Sequence, residues 1–543
     1  MNAISVLYAG NLSKFAFESL YKGQNSLALT LEQVKKCPGV SKTVLLASQG
    51  DFSNLNEVEI EQRDNWTKKS LLDKIASLQS GFELIYFSFA DCPFIDPELA
   101  GLIAQRHLQY RAEYSYADGF PYGLAPETLS PGTAGILSHI LDKDGPVERD
   151  LLFSVIQKDI NNFDIEVELS NIDLTLHRIN LCADSKRNYL LLQNFIKANN
   201  YKIPSASDVE RIVEEQPEIL RTLPIFYPIQ VFGGCPTKCS LCPYPMFNDI
   251  GRKDFMDCGK FENLLDQIIT FSGDAVIDLS LWGELSLHPE KLKLIEAVIK
   301  RNELSLVIET TGLNWETEEL EKCAALCEEV SRNIKTRENP LPPLSWIISL
   351  DTSDSAKYME LHGKGFADAD ACVKKLLSLF PNDCYVQAVR IKGSEEDTEK
   401  FYRYWKENAP NGEKNIIIQK YDDFCGSLEK KQASDISPVI RQSCWHIMRD
   451  FPVLIDGNVP LCKEDMAVFK NDKTRVLGNV FSDSLENIWQ NGQKYYEEQC
   501  VSKEPHVSKE QCVSNEPGVS NEKRKKNYLG LCENCDEYYT YNF

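Results

Sequence analysis

The sequence predicts an α/β protein in three parts. These are an N-terminal α/β domain over 1–195, a partial parallel (β/α)6 barrel over 225–430, and a small cysteine-rich domain over 440–543. Three observations predict this. Short apolar runs alternate with helix-patterned segments, which argues for mostly parallel sheets. Between 229 and 425 the strand-then-helix pattern occurs six times, which suits a partial barrel with functional groups on the loops after its strands. The C-terminal stretch is rich in Cys, Gly and Asp and reads as a module stapled by metal.

The N-terminal strands are Ile4–Tyr8, Thr43–Ala47 and Glu83–Ser88, with helices near Leu29–Cys37 and Thr67–Ser80. A polar helix near Ser207–Glu218, followed by Pro224, reads as the connection over 196–224. The barrel strands are expected at Pro228–Phe232, Ala275–Leu281, Leu304–Glu309, Trp346–Leu350, Tyr385–Ile391 and Asn415–Gln419. Helices near Phe261–Thr270, Pro289–Lys300, Glu316–Val330, Ala367–Leu379 and Glu395–Glu407 fill the gaps. Two polar repeats, Glu498–Lys509 and Glu510–Asn521, cannot build a stacked core. With the basic run Lys523–Lys526 they read as a disordered insertion over 498–527, so Cys500 and Cys512 are poor ligands.

Composition narrows the functions. The chain has 543 residues, enough for about three domains. Its net charge of -22 repels phosphate backbones and anionic lipid, so neither nucleic acid nor a membrane is the expected partner. The start carries no secretory signal, and no run approaches ~18 apolar residues. The expected location is the cytoplasm, where thiols stay reduced. Eighteen cysteines there favour metal sites over disulfides.

The sharpest motif is Cys235-Pro-Thr-Lys-Cys239-Ser-Leu-Cys242, after a predicted strand and Gly233-Gly234. Three thiolates can cap three corners of a cubane and leave its fourth iron open. Zinc is the rival, although zinc sites usually take four ligands in pairs. Here the chain resembles the radical SAM superfamily, whose signature is this triplet after the first barrel strand. Further matches follow in order. Gly283-Glu284 ends the second strand, where the family presents backbone and a carboxylate to the cofactor's ammonium. Thr311, in Glu309-Thr-Thr-Gly312, ends the third, and Ser349-Leu-Asp351 ends the fourth. The resemblance implies S-adenosylmethionine bound by Gly283, Glu284, Thr311, Ser349 and Asp351. It also implies a 5′-deoxyadenosyl radical that abstracts hydrogen, and an external reductant such as flavodoxin or ferredoxin. Leu241 stands where the family often has an aromatic residue, and His362 lies where relatives often carry an arginine.

The C-terminal module spaces Cys444-x12-Gly457-x4-Cys462 and ends in Cys532-x2-Cys535. Ile455–Cys462 reads as a hairpin with Asp-Gly turn chemistry. Four cysteines fit either a closed [4Fe–4S] cluster or zinc. The module, with Leu477–Phe481 and Ser484–Trp489, resembles the SPASM/twitch extension of radical SAM enzymes, and the whole chain resembles the spirochaete-type SPASM proteins. That implies one auxiliary cluster on Cys444, Cys462, Cys532 and Cys535, two clusters in all, and a peptide or sugar-linked substrate. Cys323 and Cys327 share one helix face and read as core, while Cys258 and Cys425 could approach the barrel mouth.

Ala90-Asp-Cys-Pro-Phe-Ile-Asp-Pro-Glu98 resembles the metal-binding segment of GT-A-type nucleotidyltransferases, with Lys22-Gly-Gln24 and Asn171-Ile-Asp173 at plausible places. An Asp at a strand end could hold Mg2+ against a triphosphate. The first loop, Ala9–Phe15, lacks the Gly-rich basic pattern that holds phosphates, so the domain is expected to be degenerate. Two further readings stand beside the first. One is a nucleotidyltransferase acting on a sugar acid with structural cysteine modules, and the other is a non-catalytic Fe–S or zinc-binding protein.

Overall fold

The computed structural model describes residues 1–48, 50, 52, 55, 58–333, 339–434, 436–438, 442–470, 476–501, 531–532 and 535–540. The chain divides into two units, Met1–Thr222 and Leu223–Phe543.

The first unit holds β1 (Ala3–Ala9), the hairpin strands β2 (Ser19–Tyr21) and β3 (Gln24–Asn25), β4 (Val40–Ala47), β5 (Glu59–Gln62), β6 (Leu84–Phe89), β7 (Tyr114–Asp118), β8 (Glu127–Leu129) and β9 (Ile165–Leu169). The main sheet runs β5-β4-β1-β6-β8-β7-β9. Its first four strands are parallel, and β8 is antiparallel to both neighbours. Every residue of β1 and β6 is buried, as strands covered on both faces require. Local chemistry starts the helices. Thr67 and Ser70 form a capping box for Lys68–Leu78, and Asp96 accepts from Glu98 and Leu99 to start Pro97–Tyr110.

The stretch expected as a connection is largely packed structure of this unit. The helix Lys186–Ala198 crosses residue 195, and Ser205 and Asp208 box-cap Ala206–Glu215. Ala206 N donates to Asp96 Oδ2 at 2.7 Å.

The second unit holds a six-stranded parallel sheet in sequential order: β10 (Phe226–Pro228), β11 (Ala275–Asp278), β12 (Leu304–Thr310), β13 (Leu344–Ser349), β14 (Cys384–Arg390) and β15 (Ile416–Lys420). The intervening helices are Cys258–Ser272, Lys291–Ile299, Thr317–Asn333, Ser355–Leu361, Phe366–Leu379 and Glu395–Asn408. This is the expected partial (β/α)6 barrel. Its core is built on Ile277, Ile308, Trp346 and Val386, all buried.

Two strands differ from expectation. β10 begins two residues earlier and ends at Pro228; beyond it the chain continues through bridges from Ile229 to Val453 and from Phe232 to Phe255. β11 stops at Asp278, whose Oδ1 accepts from Ser280 N at 2.9 Å and turns the chain out of the sheet.

The segment after Cys444 joins this sheet. Ile225 N donates to Arg449 O, Phe451 N to Phe226 O, and Val453 N to Pro228 O. Beyond it β16 (Asn458–Pro460) pairs antiparallel with β17 (Val476–Asn479). The Asp456-Gly457 turn forms, with Gly457 at φ +85° and Leu454 N donating to Asn458 O at 2.8 Å across it, and the strand leaving it also pairs with β17. The helix Leu485–Val501 runs into the expected insertion, so 498–501 are helical and Cys500 is buried. The rest of the repeats, Cys512 and the basic run lie outside the described residues. Among the described residues no helix is long and apolar enough to cross a membrane.

One buried histidine makes the first unit sensitive to acid. His107 is 1% exposed, with Nδ1 2.8 Å from Ser115 Oγ and Nε2 3.0 Å from Ser130 Oγ. Ser130 Oγ donates to Ala112 O, so it accepts from Nε2–H and the ring is neutral. Burial lowers the pKa from 6.5 to about 4. The unfolded chain takes up this proton below about 6.5 and the folded chain only near 4, so stability falls as pH drops through that window, by about 3 kcal/mol. Urea midpoints of wild-type and His107→Gln protein, measured from pH 7 to pH 4, are expected to diverge, with the wild type falling more steeply.

Candidate functional site

The Cys235, Cys239 and Cys242 loop leaves the carboxyl end of β10 and is fixed by backbone bonds. Gly233 N donates to Asp254 O at 2.9 Å, Cys235 N to Ile250 O at 3.0 Å, and Ser240 N to Leu361 O at 2.9 Å. Two glycines permit its closest approaches. A Cβ on Gly234 would stand 2.3 Å from Arg252 O, and one on Gly283 would stand 1.8 Å from Phe232 O. Glu284 N then donates to Gly234 O at 2.9 Å, joining the loop after β11 to the cysteine loop.

The structure brings Gly283, Glu284 and Thr311 together but gives the carboxylate an internal role. Glu284 is 2% exposed. Its Oε1 accepts from Thr310 Oγ1 at 2.7 Å and Ser286 N at 3.3 Å, and its Oε2 accepts from Thr311 N and Oγ1, both at 2.9 Å. About four lone-pair sites of a carboxylate are thereby used.

Asp351, at φ +64°, is likewise engaged. Its Oδ1 accepts from Val389 N at 2.7 Å, and its Oδ2 lies 2.8 Å from His362 Nε2, off the ring's N–H axis. The other ring nitrogen, Nδ1, is 3.0 Å from Cys239 Sγ. Burial opposes the imidazolium, yet Asp351 and the Cys239 sulfur together hold its pKa up to about 10.

Ser349 belongs to a different group. Its hydroxyl donates to Glu309 Oε1 at 2.7 Å, and Gln387 Nε2 donates to the same oxygen at 2.8 Å. Glu309 N donates to Ser280 Oγ. Burial, and more weakly the Glu309 charge, raises Asp278 to about 6. The result is a polar row across the carboxyl ends of β11 to β14. Glu309 lies in the motif quoted for Thr311, at the end of β12, whereas Gln387 went unrecognised in the sequence, since it lies in the middle of β14.

Burial alone disfavours thiolates here, raising Cys235 to about 11 and Cys242 to about 12. A bound cation reverses that balance. Among the described residues, the metal-ligating groups that come within 4.8 Å of one another in threes are Asp91, Cys92, Cys182 and Asp422, Asp536, Glu537. The Cys235, Cys239 and Cys242 sulfurs are not among them, so they stand farther apart than one zinc, at Zn–S about 2.3 Å, would hold them; their fit to an iron–sulfur cluster rests on the donor set, three thiols on one loop.

Around the second cysteine set, Cys444 caps the helix Trp445–Arg449. His446 Nδ1 lies 2.6 Å from Asp450 Oδ2, and its Nε2 lies 3.1 Å from Thr540 Oγ1. Cys444 N donates to Gln499 Oε1 at 2.8 Å, and Gln499 Nε2 points to Cys532 Sγ at 3.8 Å. Gln499 therefore links two expected ligands, although it sits in the repeat read as disordered. Cys462 follows β16, and Glu537 N donates to Cys535 Sγ at 3.4 Å. Cys425 hydrogen-bonds Cys535, which together with burial pushes its thiol well up. It belongs beside this set rather than at a catalytic position. Cys258 donates to Glu290 at 3.3 Å, and Cys323 is core. Four aromatic rings lie beside the two cysteine loops. Trp282 stacks on Tyr244 at 6.0 Å and meets Phe424 and Phe469, while its Nε1 donates to Lys463 O.

In the first unit Asp91 is 1% exposed and held by Arg149, with Nη1 to Oδ1 at 3.0 Å and Nη2 to Oδ2 at 2.6 Å. Arg149 also lies 3.4 Å from Asp184 and over the Phe89 ring. The carboxylate expected to hold Mg2+ is thus paired with a guanidinium, although Asp91, Cys92 and Cys182 also bring ligand atoms within 4.8 Å of one another. Asp173 accepts from Thr175, and Lys22 sits at the hairpin turn between β2 and β3.

Residues 444–536 match SPASM, an iron-sulfur cluster-binding domain. The chain is 30% identical over 401 residues to an uncharacterized protein of Treponema pallidum (strain Nichols), covering 72% of this chain and 98% of that protein. It belongs to one family with that protein, and its C-terminal part is a SPASM domain. Among solved structures, it is similar to a cytidylyltransferase from Leptospira borgpetersenii serovar Hardjo-bovis (strain JB197), at 18% identity, over 40% of this chain and 95% of that chain, with a TM-score of 0.34. It is also similar to Streptococcus suis SuiB bound to precursor peptide SuiA, at 15% identity, over 63% of this chain and 76% of that chain, with a TM-score of 0.38.

Two substitutions probe these sites. Gly283→Ala drives Phe232 O and the Glu284 loop apart, and iron retention at the Cys235 loop is expected to weaken about tenfold or more, read by chelator competition. Arg149→Ala leaves the Asp91 carboxylate buried without its partner, and is expected to cost about 3–5 kcal/mol, read as a lower urea midpoint.

Proposed function

We propose that the chain is a radical SAM enzyme that abstracts hydrogen from a peptide or sugar-linked substrate. Cys235, Cys239 and Cys242 would hold a [4Fe–4S] cluster with one open iron. Cys444, Cys462, Cys532 and Cys535 would hold one auxiliary [4Fe–4S] cluster. The observation that carries this reading is the join between the three-cysteine loop and the Gly283-Glu284 loop, made at the carboxyl mouth of the barrel. When bound, the open cluster supplies one electron to cleave S-adenosylmethionine, and the 5′-deoxyadenosyl radical takes hydrogen from substrate.

The chain's own residues position and enclose. Gly283 lets the Phe232 carbonyl close on the loop after β11, because any side chain there would meet Phe232 O. The exposed Glu309 carboxylate and the half-buried Ser349 hydroxyl, held in place by the buried Gln387 amide, offer polar groups to a ribose or substrate. Glu284, Thr311 and Asp351 act one step behind, since their polar atoms are bound within the chain and keep the loops in shape. An external flavodoxin- or ferredoxin-type donor would reduce the first cluster. Nucleotidyl transfer is disfavoured by the guanidinium at Asp91.

Anaerobic reconstitution tests this. Wild-type protein is expected to bind about eight irons and, with dithionite and S-adenosylmethionine, to release 5′-deoxyadenosine. Changing Cys235, Cys239 and Cys242 to Ala should halve the iron and abolish the nucleoside. Cys444→Ala should remove the other half and leave the first cluster's response to cofactor. Zinc as the bound metal, or a fully loaded protein that releases no 5′-deoxyadenosine, would overturn the reading.

A further inference from the structure

We propose that His362 is a positioning residue for the first cluster: its Nδ1–H holds the ligating sulfur of Cys239 and raises that cluster's reduction potential. The proposal rests on the assignment of Cys235, Cys239 and Cys242 as cluster ligands.

The geometry is built from four sides. Nδ1 lies 3.0 Å from Cys239 Sγ. Nε2 faces Asp351 Oδ2 at 2.8 Å, and Asp351 is itself fixed by Val389 N and by its own N–H to Gln387 O at 3.0 Å. The backbone of the same helix end holds the cysteine loop, through Ser240 N to Leu361 O. The ring packs 4.7 Å from the buried Tyr358 ring, and His362 is 6% exposed. The imidazole is therefore bonded at Nδ1, faced by the Asp351 carboxylate at Nε2 and packed on its face, with little room to turn toward a ligand. That removes it from the role of a donor to the cofactor's adenine or carboxylate.

The chemistry follows from the sulfur. A ligating cysteine is a thiolate with no proton, so in the contact with His362 it can only accept, and Nδ1 must carry the hydrogen. An N–H···S bond draws charge from the sulfur. It stabilises the reduced cluster, which carries one more electron, more than the oxidised one. Hydrogen bonds to sulfur are among the terms that set cluster potentials, and a carboxylate behind an imidazole fixes its orientation. The three ligands are not equivalent. Cys235 and Cys239 share the Thr237 hydroxyl, at 3.4 and 3.2 Å, and Cys239 alone of the two also has the imidazole.

The test is an EPR-monitored redox titration of full-length, anaerobically reconstituted protein, with the cluster on the Cys444 set as internal reference. His362→Leu removes the donor. At a fixed poise the ratio of reduced to oxidised first cluster is expected to fall about tenfold, a shift of about 59 mV for one electron, toward more negative potential. His362→Asn, whose amide can reach the Nδ1 position, should recover part of that loss. Asp351→Asn should move the potential in the same direction as His362→Leu but less. Should His362→Leu fail to fold, His362→Gln, whose amide falls at the Nε2 position, carries the test with the same expected fall. An unchanged midpoint in a fully iron-loaded His362→Leu or His362→Gln protein overturns the proposal. Wild-type protein without iron on the Cys235 loop would defeat the assignment of the cluster instead, so the two failures are distinguishable.

Discussion

The second unit depends on one backbone ladder. Residues 225–230 bond on one side to β11 and on the other to 449–453. The first barrel strand leads directly into Cys235, and the bridging segment leads from Cys444 toward Cys462. A single short strand thus sets the origin of both cysteine sets. A slip of one residue would turn every side chain on the bridging segment to the opposite face, setting polar Asp450 where Phe451 and Val453 now pack. Both residues are almost fully buried, so the register is strongly specified.

From that origin the close approaches become possible. Gly234 and Gly283 meet carbonyl oxygens at distances that exclude any side chain, and the Glu284 N–H then joins the two loops. The Glu284 carboxylate gathers Thr310, Thr311 and Ser286, and so carries the shape of the cysteine loop on to the end of β12. Asp351 does the same between β14 and His362. Buried carboxylates with their hydrogen bonds satisfied are rigid elements, whereas a half-satisfied network would be costly. The polar row of Ser349, Glu309 and Gln387 is set across neighbouring parallel strands, with Glu309 its exposed member.

The barrel was legible because parallel strands buried on both faces show as compact apolar runs, and Ile277, Ile308 and Val386 sit in such runs. The cysteine spacing was legible because ligand chemistry restricts residue type and separation. What a side chain does once buried was not. Glu284 and Asp351 stand at the positions where a cofactor contact was expected, yet Thr310, Thr311 and Val389, which bond to them, lie 26 to 38 positions away in sequence. No local pattern encodes such a pairing. Gln499 illustrates the opposite error: a polar repeat has no apolar periodicity, so its helical beginning, and its links to Cys444 and Cys532, could not be seen in the pattern. Asp91 stands in a segment that resembles a metal-binding one, but the arginine that pairs with it lies 58 residues further on.

The aromatic residues beside the cysteine loops complete the same logic. Tyr244 is two residues beyond Cys242, Phe424 precedes Cys425, and Trp282 bonds to the carbonyl of the residue after Cys462. Trp282 adopts φ +45°, a conformation that an indole takes up only where surrounding contacts impose it. The contacts are Tyr244, Phe424 and Phe469, with Tyr244 itself bonded to Gly233 O and Gln230. Rings placed this way exclude water beside the cysteine loops and lower the local dielectric, which strengthens the hydrogen bonds that hold each of them. The strain at Trp282 is thus tied to the two features on which the site rests, the Gly283 approach that follows it and the Cys462 loop to which its indole bonds.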